Sequence, residues 1–188
     1  MAKFSYKKGD ILQLISIAQR GDVKALEELI RRVQKHVYAM FSHLTYKRDD
    51  VSDLTQEALL KMARFLSQLK EPKNFKQWLN QIISNVYYDY LRKNSDKNVE
   101  LSEEKFNEIK DKIGCEPGEK CLIAEIDKLV RNALMTLPKD LRLTLVLREY
   151  EGLSYEDIAR ITKTAIGTVK SRLSRARIKM QQELKEFI

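Results

Sequence analysis

Apolar residues recur every three or four positions along almost all of this 188-residue chain. That spacing is the signature of helices with one buried face. Strand-type alternation of β-branched residues is absent, and only 6 glycines and 3 prolines interrupt the pattern. The expected class is therefore all-α, and the interruptions define the elements. A first helix is expected from Asp10 to Arg20, stopped by Gly21-Asp22, with Asp22 placed to cap the next. The second carries Leu26, Leu29, Ile30, Val33, Val37, Phe41 and Leu44 as its buried stripe. A third starts near Asp49–Ser52 and buries Val51, Leu54, Ala58, Met62, Phe65 and Leu69. Glu71-Pro72-Lys73-Asn74 then breaks the pattern, because proline disfavours helix in the residue before it. A fourth helix carries Phe75, Leu79, Ile82, Val86 and Tyr90 on one side. Residues 1–95 are expected to make one small helical domain.

From 96 to 120 the apolar content drops, and Asp96, Glu100, Glu103, Glu104, Glu108, Asp111, Glu116 and Glu119 make the stretch acidic. With Gly114 and Pro117-Gly118 it reads as a linker. A second domain, 121–188, opens with a helix over Leu122–Leu137. The next starts at Pro138, where a missing N–H is no loss, and ends at Tyr150. A short helix from Ser154 to Ile161 has Glu156 and Asp157 in its first turn, where the helix dipole favours acids. The last runs from Ile166 to Phe187.

The chain carries 35 Lys and Arg against 27 Asp and Glu, a net charge of +8. Such an excess suits a polyanionic partner, but a basic solvated surface has the same total. Cys115 and Cys121 stand without a second pair, so a zinc site is not expected. The N-terminus meets charge too early for a signal peptide, and no apolar run is long enough to span a bilayer. The expected setting is cytoplasmic, with no cofactor and no metal.

Residues 153–180, LSYEDIARITKTAIGTVKSRLSRARIKM, have the spacing of a helix-turn-helix. In the last helix Ile166, Val169, Leu173, Ala176 and Met180 form an apolar stripe. Thr168, Ser171, Arg172, Arg175 and Lys179 form a polar one. From Lys163 to Met180 six basic residues occur without one acid. A helix of this kind fits the major groove, where arginine bonds guanine and lysine holds phosphate. Arg177 and Lys170 are equally suited to pair with Glu183 or with the preceding helix.

Leu153-Ser154-Tyr155, Ile158-Ala159, Gly167-Thr168-Val169-Lys170-Ser171-Arg172-Leu173 and Arg175-Ala176-Arg177 closely resemble the C-terminal domain of extracytoplasmic-function (ECF) sigma factors. The resemblance implies that this domain binds the −35 promoter element through Lys170, Ser171, Arg172, Ser174 and Arg175, flanked by Thr168 and Lys179. Gly167 and Thr168 would open the helix against the DNA backbone. The family has glycine where Lys163 stands and proline where Ala165 stands. A left-handed non-glycine residue costs roughly 1 kcal/mol, so this turn is either strained or differently shaped.

The first domain resembles the same family independently. Asp53-Leu54-Thr55-Gln56-Glu57-Ala58 is similar to the helix that docks on the β′ coiled coil of RNA polymerase. Trp78-Leu79, Ile82, Asn85, Asp89 and Arg92 match the helix that follows. Asp53, Gln56 and Glu57 fall at i, i+3 and i+4, one patch opposite the apolar stripe; Asp50 joins them in the implied polymerase-binding set. Acids near a helix start also suit its dipole, which accounts for Asp49 and Asp50. In the family, the loop over Leu69–Lys76 captures a base flipped from the −10 element. That implies Lys73, Asn74, Lys76, Gln77 and Asn80 as contacts to melted DNA. Trp78 is a candidate stacking ring or a core residue, and Tyr87, Tyr88, Arg92 and Lys93 are weaker candidates for backbone contact.

The resemblance implies a two-domain sigma factor whose partners are core RNA polymerase (the β′ coiled coil and the β flap), promoter DNA and an anti-sigma factor. Two other readings are a self-sufficient helix-turn-helix regulator and a metal-dependent enzyme. The enzyme would use Asp49, Asp50, Asp53 and Glu57 with His36 or His43. Two histidines seven apart cannot share one metal on a straight helix, and no phosphate loop or nucleophile–base pair exists, so catalytic residues are not expected.

Overall fold

The computed structural model describes Tyr6, residues 9–94 and residues 119–185, the side chains of 119–125 excepted. Among the described residues there are eight α-helices and two 3-10 turns, and no strand. They are α1 (Ile11–Gln19), α2 (Val23–Ser42), α3 (Arg48–Phe65), α4 (Phe75–Lys93), α5 (Glu119–Thr136), α6 (Lys139–Glu149), α7 (Tyr155–Thr162) and α8 (Ile166–Leu184). The 3-10 turns, Leu66–Gln68 and Pro72–Asn74, bridge α3 and α4. Of the expected linker, 96–120, residues 96–118 lie outside the described residues and Glu119 and Lys120 begin α5; Cys115 and the last residues assigned to the final helix also lie outside. No described helix is long and apolar enough to cross a membrane.

The helices fall into two compact units, α1 to α4 as far as Tyr90, and α5 to α8. In the first unit local chemistry sets each boundary. The Asp10 carboxylate accepts from the Leu12 N–H at 3.1 Å to cap α1. Gly21, at φ 91°, turns the chain in a conformation that favours glycine. Asp22 then accepts from the Ala25 N–H at 2.8 Å to start α2, as its position predicts. Leu14, Ile15, Leu29, Val37, Phe41, Met62, Ile83 and Val86 fill the core. Leu26 and Ile30, expected in the α2 stripe, are only half-buried.

The same unit buries an acid. Glu28, 7% exposed, accepts from both Arg31 (2.7 Å) and Arg32 (2.8 Å). Arg32 also donates to the carbonyls of Gly9 and Tyr6 at 2.8 and 2.7 Å, tying the N-terminal segment to α2. The hydrogen bonds from Arg31 and then Arg32 outweigh burial and lower the Glu28 pKa from 4.5 to about 2. A folded pKa below the unfolded one stabilises above the unfolded value, and that gain is lost as pH falls through the folded value. Glu28→Gln should therefore lower the melting temperature at neutral pH. Its deficit relative to wild type should shrink between about pH 5 and pH 2, as read by circular dichroism melts across that range. A deficit that stays constant with pH would remove the charge from the explanation.

In the second unit Arg142 donates to the carbonyls of Met135 and Leu137 at 2.7 and 2.9 Å, fixing the α5–α6 turn. Leu134, Leu143, Val146, Leu147, Ile158, Val169, Leu173 and Ala176 form the core. The Ser154 hydroxyl caps α7 by accepting from the Asp157 N–H at 3.1 Å. Arg148 donates to the Leu153 carbonyl at 2.7 Å and lies 5.0 Å from the centre of the Tyr155 ring.

Lys163 ends α7 at φ 54°, ψ 43°. Of the two alternatives for this turn, the chain adopts the left-handed one with a lysine in it. Lys163→Gly should stabilise the second unit by roughly 1 kcal/mol, measurable as a higher urea midpoint with an unchanged slope. An unaltered or lower midpoint would mean that the lysine side chain offsets the strain.

Candidate functional site

The turn at Lys163 sets α8 against α6 and α7. Val169, Leu173 and Ala176 are buried, at no more than 1% exposure. Ile166, expected in that stripe, is 40% exposed; it sits in the first turn, ahead of the packed segment. The outward face carries Ser171 and Ser174, flanked by Lys170 and Arg175, with Lys179 further along; all five are exposed. Thr168 is half-buried and its carbonyl accepts from the Ser171 hydroxyl at 3.0 Å. Gly167 stands in the first turn, and a Cβ added there would meet nothing within 4 Å. The chain's own packing does not require that glycine, so the space in front of it is open to a partner's backbone.

Two cations of α8 point elsewhere. Arg177 pairs with Glu149 at 2.8 Å, the salt-bridge role allowed for it in the sequence, although the partner lies on α6 and not on α7. Arg172 pairs with Asp140 at 2.8 Å and its side chain is 15% exposed. Lys170, Arg175 and Lys179 have no ion pair among the described residues, so their charge is directed to solvent.

In the first unit, Asp53 and Gln56 are exposed on α3 and Glu57 is half-buried. Leu60, at i+7 from Asp53, is 71% exposed beside them. Lys61 links Glu57 (2.8 Å) to Asp89 of α4 (3.3 Å). The hydrogen bond with Glu57, and to a lesser degree that with Asp89, raises the lysine pKa against the effect of burial. Asp50 is engaged internally: the Tyr90 hydroxyl donates to it at 2.6 Å. The α3–α4 connection is held from α1. The Gln19 amide donates one hydrogen to the Leu66 carbonyl at 3.0 Å and one to the Leu69 carbonyl at 2.6 Å. Lys73 and Asn74 on that connection and Lys76 in the first turn of α4 are exposed, and Gln77 beside it is half-buried. Trp78 is half-buried with its ring 6.0 Å from that of Phe75.

Known proteins resemble the two units in this order. A family model described as "Sigma-70 region 2" matches residues 29–97, and one described as "Sigma-70, region 4" matches residues 127–180. The RNA polymerase sigma-H factor of Pseudomonas aeruginosa is 33% identical over 185 residues, covering 94% of each chain. The chain belongs to the ECF sigma factors. The ECF RNA polymerase sigma-E factor of Escherichia coli K12 is 33% identical over 181 residues, covering 93% of this chain and 94% of the relative. Among solved structures, the sigma factor RpoE of Bartonella quintana, in complex with the anti-sigma factor NepR, matches with a TM-score of 0.66 and 30% identity over 87% of this chain and 98% of that one. CnrH, in complex with the cytosolic domain of CnrY, shares the fold at a TM-score of 0.63 and 20% identity.

As a sigma factor, the chain directs promoter-specific transcription by RNA polymerase and binds core enzyme and promoter DNA. The structure places three of the residues read from its sequence away from solvent. Asn80 is 0% exposed, in the core of the first unit. Tyr87, a weaker candidate for backbone contact, is 1% exposed and stacks on Tyr90 with ring centres 6.4 Å apart. Arg172 belongs by sequence to the polar stripe of α8, but it is folded onto α6. Sequence reasoning also passed over Leu60 and Ile178, the latter 53% exposed on the outward face of α8. Their spacing from Asp53 and Ser171, seven residues in each case, was the available signal. Of the four acids near the start of α3, Asp50 is engaged with Tyr90 and Glu57 with Lys61, and Asp49 and Asp53 are exposed. Among the described residues no group of three His, Cys, Asp or Glu could hold a metal ion.

Proposed function

We propose that this sigma factor reads a bipartite promoter with two domains, 1–95 and 121–188, joined by the acidic segment 96–120. The second domain reads duplex −35 DNA through the outward face of α8. Arg175 and Lys170 supply base-edge and phosphate contacts, Ser171 and Ser174 supply hydroxyls between them, and Thr168 and Lys179 extend the backbone contact. The first domain holds melted −10 DNA along the connection and the start of α4, with Lys73, Asn74, Lys76 and Gln77. Its α3 face, with Asp53, Gln56, Glu57 and Leu60, docks on the β′ coiled coil, and the second domain reaches the β flap. Two weak DNA contacts placed on one enzyme gain effective concentration, so neither domain needs to bind tightly alone. The factor acts in the cytoplasm, where core polymerase resides, and is not itself an enzyme. The anti-sigma complex of its Bartonella relative supports an anti-sigma factor as a further partner.

The observation that carries this reading is the outward face of α8: three cations without ion pairs among the described residues, beside two serine hydroxyls, over a buried stripe that fixes the helix. The test adds the full chain to core RNA polymerase and sequences transcript starts across a bacterial genome. A shared two-part upstream motif that core alone does not yield is the expected result. Starts without a common motif would defeat the reading.

A further inference from the structure

Arg172 lies in the most basic segment of the chain, yet of the cations on α8 it is the one withdrawn from solvent. Its Nη2 donates to Asp140 Oδ2 at 2.8 Å, and its Nη1 is shielded from water without a hydrogen-bond partner. The Arg177–Glu149 pair differs at its arginine: the two acids are alike, about half-exposed (Asp140 51%, Glu149 49%), but Arg177 is 51% exposed where Arg172 is 15%, and a pair with both partners at the surface contributes little. Asp140 stands in the first turn of α6, 32 residues earlier in the chain than Arg172. On α8, Arg172 immediately precedes the buried Leu173 and lies one turn before the buried Ala176. It is therefore at the margin of the packed stripe and not on the outward face.

We propose that Arg172 is a positioning residue: with Asp140 it sets the rotation of α8 on α6, so that Lys170, Ser171, Ser174 and Arg175 meet the groove together. This rests on the reading of α8 as the DNA-contacting helix. It has a sign that simple electrostatics does not. An acid beside a DNA-binding helix repels phosphate, so its removal should tighten binding if Arg172 served DNA directly. If the pair positions the helix, removal of Asp140 loosens binding and blurs the choice of sequence.

The experiment uses holoenzyme assembled from the full chain and core polymerase, on a promoter mapped with that holoenzyme and on versions substituted at each upstream position. Asp140→Asn should weaken promoter binding about three- to fivefold, the scale of one partly buried ion pair, and flatten discrimination at several positions at once. The dependence on salt should keep the wild-type slope, because no phosphate contact is lost. Arg172→Asp should be worse, and the exchange Asp140→Arg with Arg172→Asp should recover most of the loss. Circular dichroism melts keep loss of fold apart from loss of position. Tighter binding by Asp140→Asn, or an exchange no better than Arg172→Asp alone, overturns the proposal. Arg175→Ala, measured alongside, tests the underlying reading: if it binds and discriminates as wild type does, the DNA assignment of α8 fails and takes this inference with it. If Arg175→Ala is impaired and the exchange does not recover, only the positioning role fails.

Discussion

Arg175→Ala will lower initiation from the cognate promoter by about 5- to 150-fold, the range of one bidentate base contact of about 1–3 kcal/mol. The guanidinium is exposed and makes no ion pair among the described residues; its Nε donates to the Ser171 carbonyl at 3.4 Å. It therefore enters a complex without first giving up a strong partner. The loss should concentrate at one upstream base pair, so that templates already mutated there lose little more. Lys170→Ala should behave differently, because a lysine–phosphate contact carries no sequence information. It should weaken binding uniformly and reduce the salt slope by roughly 0.9. Single-round transcription on a panel of upstream variants, at several salt concentrations, separates the two patterns. A uniform loss for Arg175→Ala would demote it to a backbone contact.

Leu60→Asp will weaken association with core polymerase by about 30-fold or more, the scale of an interface hot spot of about 2 kcal/mol. A leucine 71% exposed next to Asp53, Gln56 and Glu57 contributes almost nothing to its own unit's core, so the substitution should leave the fold and melting temperature intact. Glu57→Lys should also weaken association, for two reasons. It reverses a charge on the proposed docking face, and it replaces the Glu57–Lys61 attraction with like charges one turn apart. The second effect should also cost a few tenths of a kcal/mol of helix stability. Competition for core enzyme against a labelled wild-type chain, with melts as control, measures both. Undiminished binding by Leu60→Asp would move the interface off this face of α3.

Much of this architecture was legible because helices write their buried faces at a fixed period. Asp22 caps α2 as expected; α7 starts at Ser154 as expected, and the hydroxyl that caps it there is a detail the structure adds. α5 begins at Glu119, three residues ahead of the first apolar residue of its stripe, because periodicity locates a packed face and not a helix end. The site was less legible, and the reason is visible in Arg172 and Asn80. A polar residue near a helix's outward stripe can turn back onto a neighbouring helix when that neighbour offers a partner. Asp140 is distant in sequence and nothing local announces it. Asn80 follows Leu79 into the core because α4 is packed over a wider arc than the five-residue stripe suggested; Ile83 and Ser84 are buried as well. Leu60 was passed over for the opposite reason: an apolar residue is assumed to be inside until its exposure is seen.

The central claim is that α8 alone chooses the upstream promoter element. The most direct measurement replaces Lys170, Ser171, Ser174 and Arg175 with the residues at the matching positions of the Pseudomonas sigma-H factor and maps transcript starts with the resulting holoenzyme. The account predicts that the upstream half of the motif changes to the donor's preference while the half nearest the start stays as it was. A change in the downstream half, or an upstream half indifferent to the exchange, would contradict it.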